Sequence, residues 1–113
     1  MIIEEIIVNW LNKKLEVKAF VEEPQKPPSS YVLVQKTNNI LNNYINRSVI
    51  TIQSYAESKY KSAVLNEKVK NAMFEVIEIQ EITRCKLNND YDYTDSETKR
   101  YRYQAVFDIT YYQ

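Results

Sequence analysis

Arg100-Tyr101-Arg102-Tyr103-Gln104-Ala105-Val106-Phe107-Asp108-Ile109-Thr110-Tyr111-Tyr112 alternates over its whole length. Tyr101, Tyr103, Ala105, Phe107, Ile109 and Tyr111 fall on one face. Arg100, Arg102, Gln104, Val106, Asp108 and Thr110 fall on the other. A period of two is the signature of a strand with one buried face, and thirteen residues make a long one. The apolar face reads as core, and the charged face as wet or interfacial.

The rest of the chain is ordered around this strand. Ile79–Asn88 is the expected partner, with Thr83, Cys85 and Leu87 on one face and Arg84 and Lys86 on the other. The polar segment Asn89–Lys99 links the two as a loop longer than the usual hairpin connection. Before it, Ser58 to about Ile77 reads as a helix with an apolar stripe of Leu65, Val69, Ala72, Met73 and Val76. Glu57, Lys59, Lys61, Glu67, Lys68 and Lys70 form most of its wet face. Ser48–Tyr55 is a strand with Ile50 and Ile52 on one face and Val49, Thr51 and Gln53 on the other. Asn38–Asn46 is turn-rich and reads as a hairpin tip. Tyr31–Lys36 is a strand.

Glu22–Ser30 holds all three prolines and reads as a partly polyproline-like connector. Val17–Val21 suits a short strand. Ile2–Leu15 suits an amphipathic helix, with Ile3, Ile6, Ile7, Trp10 and Leu11 at helical spacing. Glu4 and Glu5 lie near its positive end, and Lys13 and Lys14 near its negative end. The resulting order, α-β-β-β-α-β-β, predicts one two-layer α+β domain over residues 1–113. A mostly antiparallel four- to five-stranded sheet packs against two helices and turns its other face to water or a partner.

Composition narrows the chemistry. The chain has 113 residues, 44% of them hydrophobic and 27% charged, and a formal net charge of zero. A balanced charge offers no general attraction to nucleic acid or an anionic membrane. Histidine is absent, so the commonest general base and the commonest transition-metal ligand are missing. Glycine is absent too, which excludes Gly-rich phosphate loops and dinucleotide fingerprints. Turns that need positive φ would fall to Asn38-Asn39, Asn42-Asn43 and Asn88-Asn89-Asp90. The single cysteine, Cys85, allows no intrachain disulfide and reads as a small buried residue. No catalytic, metal-ligating or cofactor-binding residues are expected. The start of the chain, Met1-Ile2-Ile3-Glu4-Glu5, does not read as a signal peptide, no run suits a bilayer, and the expected setting is a cytoplasm.

Two charged groups are candidate sites. Asp90, Asp92, Asp95 and Glu97 share the Asn89–Lys99 loop. A calcium loop of the EF-hand type needs Gly at its sixth position and Glu at its twelfth, and Tyr91-Asp92-Tyr93-Thr94 supplies neither. Arg84, Lys86, Arg100 and Arg102 sit on the two strands expected to pair. On a shared face they would form a four-charge patch with three possible roles. These are a wet face that discourages edge aggregation, phosphate contact with DNA, and subunit contact, where the acidic loop of one copy meets the basic strands of the next. Six of the ten tyrosines follow residue 90. Of these, Tyr91, Tyr93 and Tyr112 are the expected exposed ones.

Three stretches carry a resemblance: Tyr31-Val-Leu-Val-Gln-Lys after the proline-rich connector, Ile50-Thr-Ile-Gln-Ser-Tyr-Ala-Glu-Ser before the second helix, and the closing Tyr101–Tyr112 strand. In order and length the chain resembles the tail-terminator (tail-completion) proteins of long-tailed bacteriophages and prophages of low-GC Gram-positive bacteria. The resemblance implies a structural, non-enzymatic virion protein of the tail-neck region, assembled in the host cytoplasm. Such proteins are monomeric or weakly associated in solution. They form a six-fold ring on the tail tube, stop polymerisation of the major tail tube protein and present a surface to the head-tail connector. DNA later passes through the lumen without being read, and no membrane is involved. Head-closure and minor capsid components of the head-side neck are similar in size and form the alternative station. A small nucleic-acid-binding module is the alternative of another class. On the leading reading, the interface residues are Arg84, Lys86, Asp90, Asp92, Asp95, Glu97, Arg100 and Arg102.

Overall fold

The computed structural model describes residues 2–42 and 45–112. In chain order the elements are α1 (Ile3–Lys14), β1 (Lys18–Phe20), β2 (Tyr31–Asn42), β3 (Ile45–Tyr55), α2 (Lys59–Phe74), a 3-10 turn (Val76–Glu78), β4 (Ile82–Asp92) and β5 (Arg102–Tyr112). The five strands form one sheet in the order β1-β2-β3-β5-β4. β1 runs parallel to β2, and the remaining neighbours are antiparallel. Both helices lie on one face, α1 beside β1 and β2, α2 beside β3, β5 and β4. This is the two-layer α+β architecture and element order that the apolar periodicities predict.

Cross-strand rows show why the layers hold. Val34, Ile52 and Ala105 are register partners across β2, β3 and β5, and Ile50, Phe107 and Leu87 form the next row. Ile3, Ile7 and Leu11 of α1 and Leu65, Val69, Ala72 and Met73 of α2 close over these rows. Phe107 is fully buried, and such a ring carries several kcal/mol, so truncation to Ala costs about 3–5 kcal/mol. The Trp10 indole donates to the Ala72 carbonyl at 2.8 Å and fixes one helix on the other. α2 starts at Ser58, whose hydroxyl accepts from the Lys61 amide at 3.1 Å. That cap contributes about 1 kcal/mol.

One expectation holds in part and two are corrected. Asn38–Asn46 is the end of the β2–β3 hairpin, as read, but Asn38–Asn42 belongs to β2 and Asn46 to β3; Asn43 and Tyr44 lie outside the described residues. A bulge between Lys36 and Asn38 absorbs one residue there. Asn89–Asp92 likewise continues β4, so the loop runs only from residue 93 to 101. Among the described residues positive φ falls to Lys99, at φ 56°, and to none of Asn38, Asn39, Asn42, Asn88, Asn89 or Asp90. Asparagine tolerates a strand wherever its amide meets a partner. Here Asn39 accepts from Ser48 at 2.6 Å and donates to Asn46.

The second sheet face differs from the open surface expected. Tyr31, Leu33, Thr51, Gln53 and Tyr55 are buried on it, with Phe20 packed against them. Residues 21–30 make the return from β1 to its parallel neighbour β2. Extended, polyproline-like chain covers about 3.1 Å per residue, enough to pass this end of the face, where Glu23 meets Tyr31.

Candidate functional site

The covered end of the outer face is a hydrogen-bonded assembly of aromatic and charged side chains. Tyr31 starts β2 and Tyr55 ends β3. Antiparallel register puts them opposite each other, and the Tyr31 hydroxyl donates to Glu23 Oε1 at 2.7 Å. Arg100 Nη2 donates to the same carboxylate and, at 2.6 Å, to the Tyr31 hydroxyl. The guanidinium also lies 4.9 Å from the Tyr55 ring centre, an attraction between cation and ring face. Arg102 donates from Nη1 to the Tyr55 hydroxyl at 2.8 Å and from Nε to the Tyr93 carbonyl at 2.7 Å. The chain of bonds continues from the Tyr55 hydroxyl to Gln53, from Gln53 to Gln104, and from Gln104 to the Tyr91 hydroxyl.

Electrostatics follow these contacts. Arg100, and then Tyr31, hold the Glu23 carboxyl below its ordinary range. Burial, helped by the neighbouring Glu23 carboxylate, pushes the Tyr31 phenol up. The residue stays a neutral donor, and the pair Glu23–Arg100 keeps its charges.

The eight expected interface residues separate into three places. Arg84, Lys86 and Arg102 share the outer face, but Lys86 lies opposite Asp108, six residues along β5 from Arg102. At about 3.3 Å per residue that is roughly 20 Å, so the four cations do not form one patch. Arg102 is engaged within the fold through Nε and Nη1 and Arg100 through Nη2, whereas Arg84 and Lys86 are exposed on the edge strand β4. Asp90 and Asp92 point to the helix layer. Lys70 Nζ sits 3.2 Å from Asp90, with Asn66 beside it, and Lys59 Nζ sits 3.2 Å from Asp92. Asp95 folds its own loop, accepting from the amides of Glu97 and Thr98. Of the four acids, Glu97 alone has no side-chain partner among the described residues.

Two exposed features lie at opposite ends of the β2–β3 hairpin. One is the far end of the β2–β3 hairpin, where Ile40 and Leu41 are 54% and 58% exposed and Ile45 lies opposite exposed Tyr112. Residues 37–46 carry no charge. Alternation sends Ile40 and Leu41 to opposite faces, so this end is apolar on both sides. The other feature is a pocket of about 210 Å³ between the connector and the entry to β5. Sequence reasoning missed both. The uncharged run between two strands was the available signal for the first. Nothing in the sequence pointed to Glu23 or the Tyr31–Tyr55 pair.

Cys85 is half-buried on the inner face of β4, and burial pushes its thiol up to about 12. Among the described residues no group of three His, Cys, Asp or Glu side chains is placed to hold a metal ion, and no helix is long and apolar enough to cross a membrane. Compared with protein-family models and with curated proteins, the chain matches none.

Proposed function

We propose that this chain is a structural subunit that caps a phage tail tube as a ring, ends tube polymerisation and offers its outer surface to the head-tail connector. The observation that carries this reading is the uncharged hairpin end with Ile40, Leu41 and Ile45 exposed. A folded subunit that leaves such side chains in water on both faces of a projecting hairpin has a surface suited to a protein partner. The two ends of the β2–β3 hairpin differ in chemistry, one apolar and one cationic and aromatic. A subunit with unlike ends suits heterologous, head-to-tail assembly, the kind that closes into rings. The resemblance to tail terminators in element order and length names the assembly.

The nucleic-acid reading is weakened by geometry, because Arg100 and Arg102 already have partners in the fold. Binding through Arg84 and Lys86 alone would show a shallow salt dependence. The cap reading is tested by adding the protein to polymerising tail tube protein and measuring tube lengths by electron microscopy. Wild-type protein shortens the tubes. Ile40→Asp with Leu41→Asp, at unchanged thermal stability, does not. Tube lengths indifferent to the wild-type protein would refute the proposal.

A further inference from the structure

The pocket beside the Tyr31–Tyr55 stack has the chemistry of an anchor site. It is lined by Pro27 and Pro28 of the connector, by Lys99 and Arg100, and by the two tyrosines. At about 210 Å³ it is smaller than the roughly 300–1,000 Å³ typical of small-molecule sites, and nearer the size of one inserted side chain. Arg100 uses only Nη2 for Glu23 and Tyr31. Its Nε and Nη1 donors, and the Lys99 ammonium, have no partner among the described residues. Lys26, next to Pro27 in sequence, is exposed and adds a third cation to this end. Tyr31 and Tyr55 are almost wholly buried, so the floor is rigid. The same guanidinium already holds one carboxylate, that of Glu23, which does not line the pocket.

We propose that this pocket receives an acidic side chain, Asp or Glu, of a neighbouring protein chain. The stem of the incoming side chain packs between the prolines and the tyrosine rings, and its carboxylate meets Lys99 and the free donors of Arg100. Charge-assisted bonds of this kind are short and strong. That the neighbour is a virion protein rests on the proposed function above; the binding chemistry does not.

The test is a titration of the isotope-labelled full chain with an acetylated tetraglutamate peptide, followed by amide chemical shifts. Tetraglutamine and inorganic phosphate serve as comparisons. The proposal expects shifts centred on Ser29, Lys99, Arg100 and Tyr101. Lys99→Asn keeps a residue tolerant of positive φ while removing the ammonium, and weakens binding by about tenfold. Lys26→Gln, which removes the rim charge, weakens it less. The proposal is overturned by no shifts at millimolar peptide, by equal shifts along Arg84 and Lys86, by equal affinity in Lys99→Asn, or by the same response to tetraglutamine or phosphate. Peptide binding at this pocket in a protein that does not cap tubes would refute the assembly reading alone. Capping by a protein whose pocket ignores the peptide would refute the pocket alone.

Discussion

The rings of Tyr31 and Tyr55 stack with their centroids 4.6 Å apart and their planes 3° from parallel. Each hydroxyl is taken by an arginine, Tyr31 by Arg100 and Tyr55 by Arg102. The two cations expected to greet a neighbouring subunit therefore hold the first and last residues of a β-hairpin together. Arg102→Ala removes charge-assisted bonds to the Tyr55 hydroxyl and the Tyr93 carbonyl, together with its stacking on Tyr93 at 4.5 Å. A loss of about 2 kcal/mol follows, read as a lower urea midpoint. An unchanged midpoint would show that the network adds nothing to stability.

Ser54 predicts the opposite sign. Its hydroxyl is fully buried and has no hydrogen-bond partner among the described residues. A buried polar group left unpaired costs about 1–3 kcal/mol. Ser54→Ala removes that cost and leaves only a small void, so stability rises by about 1 kcal/mol. Thermal denaturation of the variant checks it; a lower melting temperature would mean that the hydroxyl is satisfied.

Lys99 is the residue that turns the loop at positive φ. A side chain with a Cβ is disfavoured there by about 1–2 kcal/mol, and glycine is not. Glycine also gives the unfolded chain more freedom, which offsets part of the gain. Lys99→Gly is expected to stabilise by about 0.5–1 kcal/mol, measured by the same melts.

The structure also sets a pH response. Asp108 is held below the ordinary carboxylate range first by the Asn88 amide and then by the Arg47 guanidinium, 3.2 Å away. Glu23 is lowered by Arg100 and Tyr31, and Asp92 by Thr94. A carboxyl with a depressed folded pKa adds stability that is present above its unfolded value, near 4, and is lost as pH falls through the folded value. The denaturation midpoint should hold from about pH 7 to 5 and drop below about pH 4. Asp108→Asn should drop less steeply; an identical acid limb would remove Asp108 from the account.

The sequence made the inner face of the sheet legible and left the outer face opaque. Leu65, Val69, Ala72, Met73 and Val76, and Ala105, Phe107, Ile109 and Tyr111, are buried as their periods predict, because each repeats a local pattern against one core. Tyr101, which precedes β5, and Tyr103 are only half-buried. Asn89–Asp92 reads as loop from its composition. It forms strand, where Lys70 and Lys59, on a helix twenty or more residues earlier, neutralise Asp90 and Asp92. Tyr31, Gln53 and Tyr55 are buried on the supposedly wet face through contacts with residue 23 and residues 100–104. Such long-range polar partners leave no period in a sequence.

Tail length is the most direct measure of the central claim. Tails assembled in cells lacking this protein, with the rest of the phage or prophage genes intact, can be imaged by electron microscopy beside wild-type tails. A subunit that caps the tube predicts overlong tails of variable length, returned to one length by the wild-type gene and not by the Ile40→Asp/Leu41→Asp variant. Tails of normal length that fail to join heads would contradict the cap and move the protein to the head side of the neck.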